Sequence, residues 1–144
     1  MKTNKQNIDN IFNAVKYIFE NYSEYNPVLT GSVSMYLQGI DYGDITDIDI
    51  IFFIRKVKID KYAIKEDIMN KFGLNIDISI QPFIRNEKTY LNTQINGVEI
   101  TYETHPSIYA YQKELFPKRR DKERRLRQFK IYEEWLKQQE NNKL

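Results

Sequence analysis

The chain contains no cysteine. That excludes disulfides, thiolate metal sites and cysteine nucleophiles, and it fits a reducing compartment. A single histidine, His105, also excludes any site built on two histidines, such as an HExxH zinc centre. Placed just before a proline and after a strand, it reads as a solvated loop residue. No apolar run approaches the roughly 18 residues of a membrane span. Residues 1–5 carry no signal-peptide apolar core. The expectation is therefore a cytoplasmic protein without a membrane partner.

What is present suits one domain over residues 1–144, with a core at about 5–103 and a C-terminal basic helical segment at about 105–140. Folding at this length buries roughly 68–70% of the unfolded surface, enough for a core without covalent staples. The composition, 41% hydrophobic and 29% charged, is that of an ordinary globular chain. The net charge of +2 hides an asymmetry. Residues 113–130 hold nine Lys or Arg against three Asp or Glu, which leaves the rest of the chain acidic. Such a stretch is either a solvated helix face or a contact for phosphate, nucleotide or nucleic acid.

Apolar periodicity gives the order of elements. Ile8, Ile11, Phe12, Val15, Ile18 and Phe19 recur at helical spacing over residues 5–22. Val28 and Leu29 form a short strand that runs into Gly31, and residues 32–38 make a short helix. The near-continuous run Ile48, Ile50, Ile51, Phe52, Phe53, Ile54 predicts a strand covered on both faces. A helix over 60–72 follows, then a strand over 74–80 in which Leu74, Ile76, Ile78 and Ile80 alternate with polar residues. Asn96-Gly97 between two strand-like runs predicts a hairpin. Helices over 106–116 and from about 118 or 121 to 139 close the chain. Helices on a mixed sheet of about four or five strands make an α+β sandwich.

Three signals carry chemistry. Asp47 and Asp49 lie two apart on a strand, so both point to one face while Ile48 and Ile50 point to the other. Carboxylates held together repel unless a cation lies between them or one is protonated, and a hard divalent ion with oxygen ligands resolves the conflict. They equally fit two surface residues at a strand end. Asp77 is isolated between Ile76 and Ile78, where an ionised group needs a partner. If its strand neighbours that of Asp47 and Asp49, all three converge, and three carboxylates suit two Mg²⁺ ions in a phosphoryl or nucleotidyl displacement. Finally, Leu29-Thr30-Gly31-Ser32 places backbone N–H groups and a hydroxyl where a helix begins. This arrangement serves an anion site or a plain turn with an N-cap.

In this order the three stretches, Leu29-Thr30-Gly31-Ser32, Thr46-Asp47-Ile48-Asp49-Ile50-Ile51 and Ile76-Asp77-Ile78, resemble the nucleotidyltransferase superfamily with the DNA polymerase β-type core. The resemblance covers residues 29–80 and the preceding helix. It implies that Gly31 and Ser32 hold the β- and γ-phosphates of an NTP such as ATP. Asp47 and Asp49 would bind two Mg²⁺ ions, with Mn²⁺ as a substitute, and Asp77 the second ion and the proton of the acceptor hydroxyl. An NMP would pass to a hydroxyl on a small molecule, a protein or an RNA end. The fourteen residues between Ser32 and Asp47 are a long gap for the pattern.

Further on, Pro106 to Lys113 followed by Arg119-Arg120-Asp121-Lys122 is similar to small bacterial and phage members. There a helix lysine, here Lys113, contacts phosphate. Arg124 and Arg125 stand where acidic residues are expected. Ile, Lys and Asn make up one third of the chain, as an A/T-rich bacterial or phage genome would give. By resemblance, a toxin–antitoxin or phage-defence setting with a partner chain fits. The alternative is a catalytically degenerate core that binds nucleic acid or a protein through the basic helix. Tyr109 and Tyr111 read as core of an amphipathic helix rather than as base-stacking groups.

Overall fold

The computed structural model describes residues 5–43, 45–55, 58–83 and 88–142. The two ends of the expected 1–144 domain, residues 1–4 and 143–144, lie outside them. Helix α1 (Lys5–Asn21) leads through a single 3₁₀ turn, Ser23–Tyr25, to β1 (Pro27–Thr30), α2 (Gly31–Leu37) and β2 (Asp47–Phe53). Then come α3 (Lys61–Phe72), β3 (Asn75–Gln81), β4 (Tyr90–Ile95), β5 (Val98–Glu103), α4 (His105–Leu115) and α5 (Lys122–Asn142). Pro27 takes the first position of β1, where a missing N–H costs no ladder bond.

The five strands form one open sheet in the order β3-β2-β1-β5-β4. β2 and β3 run parallel, as do β1 and β5, while β1 and β2 and the β4–β5 hairpin are antiparallel. With its helices this is an α+β fold on a mixed sheet. At the hairpin turn Asn96 and Gly97 take φ of 49° and 83°, the paired positive values that Asn-Gly supplies at low steric cost. Among the described residues no helix is long and apolar enough to cross a membrane.

Alternation along the strands divides the sheet into an apolar and a polar face. Leu29, Ile48, Ile50, Phe52, Ile76, Ile78 and Ile100 are buried in one core with Ile11, Val15 and Ile18 of α1 and Ile64 and Ile68 of α3. Burial of each such side chain contributes roughly 1.5–3 kcal/mol. A second cluster joins Met35 of α2, Ile40 and Tyr42 of the following loop, Ile108 of α4 and Tyr132 of α5. This cluster folds the basic C-terminal helix back against α2 and α4. His105 belongs here and not in a solvated loop. It is the first residue of α4, its Nδ1 lies 2.8 Å from the Tyr132 hydroxyl, and its ring meets the Trp135 ring edge-on at 4.9 Å. Burial lowers its pKa from the ordinary value. Tyr109 packs on Phe129 and Tyr132, as its helical phase predicts, whereas Tyr111 is 37% exposed and not part of the core.

Glu103, at the end of β5, ties the polar face together at 2% exposure. Its carboxylate accepts hydrogen bonds from Thr30 Oγ1 (2.7 Å), Ser107 Oγ (2.5 Å) and Lys88 Nζ (3.1 Å). Its carbonyl accepts from Ser34 Oγ and Gln38 Nε2. One residue thus fastens β1, α2, α4 and the approach to β4. The Lys88 side chain is only 6% exposed, so removing Glu103 strands a buried ammonium. Glu103→Ala is expected to cost roughly 3–5 kcal/mol in denaturant unfolding, with part recovered by Lys88→Met in the same chain. An unchanged unfolding midpoint would show that the network contributes nothing.

Candidate active site

Strand register brings the polar residues into a row. Asp49 pairs with Asp77 across the parallel β2–β3 ladder and with Thr30 across the antiparallel β1–β2 ladder. Leu29 pairs with Tyr102, so Glu103 lies level with Thr30. The row Asp77, Asp49, Thr30, Glu103 therefore crosses four strands on the face away from Ile50 and Ile78. Asp47, one pleat along from Asp49, points the same way from the exposed start of β2.

Gly31 closes against this row. It has a φ of +66°, and a methyl group built on it would overlap the Asp49 carboxylate. Glycine is required twice over, for the left-handed backbone and for the room that Asp49 occupies. Ser32 follows in the first turn of α2 and lines the same hollow.

Two adjoining cavities flank the carboxylates. One, of about 180 Å³, is polar: Ser32, Thr46 and Asp47 line one side, and Arg119, Arg124 and Arg125 the other. The second, of about 160 Å³, runs between the sheet and α4 and is lined by Ile108, Tyr111 and Leu115 of α4, by Thr30 and Glu103, and by Arg119 and Arg125. Gly31, Asp49, Asp77, Gln112, Arg119 and Arg125 line both, so the cavities meet between the carboxylates and these two arginines.

The arginines come from the start of α5 and the turn before it. Arg119 donates from Nε and Nη2 to both oxygens of Asp121, at 2.8 and 2.9 Å. That fork holds the Asp121 carboxyl down to about 2, well below the usual range. The Arg125 N–H donates to the Asp121 carbonyl, which fixes the turn on the helix. Arg125 Nη1 donates to Gln128 Oε1 at 2.8 Å, and partial burial pulls its guanidinium below its ordinary pKa. Arginines in this position suit phosphate or carboxylate groups, whose geometry the guanidinium fork matches.

Of the residues expected from sequence, Gly31, Ser32, Asp47, Asp49 and Asp77 come together. Lys113 does not join them. Its ammonium lies 4.6 Å from the Phe129 ring centroid and 5.4 Å from that of Tyr109, on the side of α4 that meets α5. One residue is about 100° of helix, and the residue facing the cavities is Gln112. Glu103, Arg119, Arg124 and Arg125 were missed as site residues. The arginines gave a signal only as a basic run, and Glu103 gave none beyond its place at a strand end.

Burial, then the neighbouring Asp77 and Asp47 charges, push the Asp49 carboxyl up to about 7, against a smaller opposing pull from Arg125 and Arg124. The donor set, three hard carboxylates on one face, fits a divalent cation such as Mg²⁺. Among the described residues no three acidic or histidine side chains are already gathered at ligating distance. The carboxylates share a hollow rather than a single point.

The architecture on which this site stands is a nucleotidyltransferase-like fold. A crystal structure of an antigenic nucleotidyltransferase-like protein from Paracoccidioides brasiliensis superposes with a TM-score of 0.60 at 12% identity, over 85% of this chain and 75% of that one. At that identity the likeness concerns the fold alone. No protein-family model matches the chain, and no curated protein does.

Two outcomes follow. Gly31→Ala should cost roughly 1–3 kcal/mol from its φ alone, and a structure of the variant should show the Asp49 carboxylate displaced; an unmoved carboxylate would refute the steric account. For pH, a carboxyl whose folded pKa exceeds its unfolded value destabilises the fold as pH rises from about 4 through about 7. Asp49→Asn should therefore be more stable than the wild type at pH 8 without divalent ions, by about 2–4 kcal/mol. The difference should vanish below pH 4, as urea unfolding across pH would show.

Proposed function

We propose that the chain is a divalent-cation-dependent nucleotidyltransferase that moves a nucleoside monophosphate from an NTP to a hydroxyl. The observation that carries this reading is the pairing of Asp49 with Asp77 where a polar, guanidinium-lined cavity meets a more apolar one, with Gly31 closed against Asp49. Carboxylates beside an anion-binding wall are what a metal-bridged polyphosphate requires. The nucleotidyltransferase-like fold supports it.

In this reading Ser32 and Arg119, Arg124 and Arg125 hold the β- and γ-phosphates in the polar cavity, and Gly31 lets them approach the backbone. Asp47, Asp49 and Asp77 would hold Mg²⁺ or Mn²⁺, which supplies the positive charge that offsets both the carboxylates and the phosphoryl oxygens. The acceptor oxygen forms its bond to the α-phosphorus, the bond to the bridging oxygen breaks, and pyrophosphate leaves on the arginine side. Asp77, exposed on an edge strand, takes the hydroxyl proton.

A second reading is favoured by one observation. Arg124 also lines a surface groove with Arg120, Lys122 and Arg127, so basic character continues from the cavity onto α5. On that reading the core is degenerate and the helix binds a nucleic acid, with affinity falling steeply as salt rises.

One experiment separates the two. Transfer of label from α-³²P-NTPs to cellular RNA, protein and small-molecule fractions is measured with Mg²⁺ for wild type and Asp49→Asn. The enzyme reading expects a loss of roughly 100-fold or more with the circular dichroism spectrum unchanged. Equal labelling by both chains would overturn it, and salt-dependent RNA binding indifferent to Asp49→Asn would favour the second reading.

A further inference from the structure

One polar side chain at the meeting of the two cavities has no partner among the described residues. Gln112 lines both, and its Oε1 is shut off from solvent without a hydrogen-bond donor. The rest of its amide makes no hydrogen bond among the described residues either. Buried amides in native proteins are satisfied in all but a few cases, and an exception at a cavity wall points to a ligand or an ordered water. Arg119 and Arg125 line the same cavities, but their guanidinium groups donate to Asp121 and Gln128. On α4 Gln112 is flanked by Ile108 and Leu115, one turn to either side on the same face. Across the cavity, Thr30 and Glu103 are already bonded to each other.

The direction in which a bound nucleotide would run follows from the two cavities, and here the inference rests on the nucleotidyltransferase reading above. The β- and γ-phosphates occupy the arginine side, and the α-phosphorus lies at Asp49 and Asp77. The nucleoside attached to that phosphorus must continue past the carboxylates into the other cavity. There it meets Ile108 and Leu115, suited to the face of a ring, and the Gln112 amide, suited to its edge, beyond the two arginines that both cavities share.

We infer that Gln112 reads the hydrogen-bonding edge of the nucleobase. A primary amide presents a donor and an acceptor side by side, the pattern complementary to adenine N6 and N7 and to any base edge with an adjacent donor and acceptor. The unpartnered oxygen is the state of a reader without its base, and filling the cavity satisfies it. Stability is thereby sacrificed to selectivity at this position.

The test uses the full chain with Mg²⁺ and two kinds of probe: a panel of non-hydrolysable NTP analogues, and inorganic tripolyphosphate, which has the phosphates without the base. Titration calorimetry is run on wild type, Gln112→Ala and Gln112→Leu, with thermal unfolding alongside. Nucleotide Kd should rise roughly tenfold in both variants while tripolyphosphate Kd stays the same. The unfolding midpoint should stay level or rise, because an unsatisfied buried group has been removed; a structural role for Gln112 would lower it. Wild type that binds tripolyphosphate as tightly as any nucleotide, or variants that bind nucleotide normally, would overturn the assignment while leaving the anion site standing. Variants that weaken both probes equally would also overturn it. Wild type that binds neither probe would overturn the nucleotidyltransferase reading itself.

Discussion

Two carboxylates held side by side set the terms for the rest of this molecule. Asp49 and Asp77 are partners across a parallel ladder, and the apolar side of that ladder, Ile48 with Ile76 and Ile50 with Ile78, is locked into the core. A slip of β3 by one residue would turn Ile76 and Ile78 outward, so the register that buries them also holds the acids together. The repulsion has no outlet in the sheet itself. Burial first, and this repulsion second, raise the pKa of Asp49, and together they make the site a place for positive charge.

That charge is supplied from a distance along the chain. The second apolar cluster holds α5 against α2 and α4, and this docking carries Arg119, Arg124 and Arg125 to the far wall of the polar cavity. Among the described residues the arginines make no ion pair with Asp47, Asp49 or Asp77: Arg119 is committed to Asp121, and Arg125 to Gln128. The result is a hollow with acids on one wall and guanidinium groups on the other, the charge arrangement on which the proposed function rests. A direct salt bridge across the cavity would have closed it.

Rigidity comes from Glu103 and Gly31. Glu103 joins Thr30 to Ser107 and Lys88, so the residue before Gly31 is fastened to the helix that roofs the apolar cavity. Gly31 then fits against Asp49 with no space for a side chain. The Gly31 turn and the Asp49 carboxylate are thus held in a fixed relation. On the proposed function, that fixed relation is the preorganisation electrostatic catalysis depends on.

Much of this was legible in the chain of residues. Alternation in Asp47-Ile48-Asp49-Ile50 determines that both acids leave the same face, because strand side chains have a period of two whatever the strand pairs with. Asn96-Gly97 determines a hairpin, since few other pairs accept two positive φ values. The long apolar period of residues 5–22 determines a helix with one buried face. Tertiary structure alone decided which strands are neighbours, and therefore that Asp77 stands beside Asp49. It decided that a basic run is a cavity wall and not a solvated face, because that depends on where Tyr132 and Trp135 dock. It also decided that Gln112 and not Lys113 faces the site. Both lie on the same helix, one residue apart, and only the packing of Ile108 and Tyr109 on different neighbours sets the rotation that separates them.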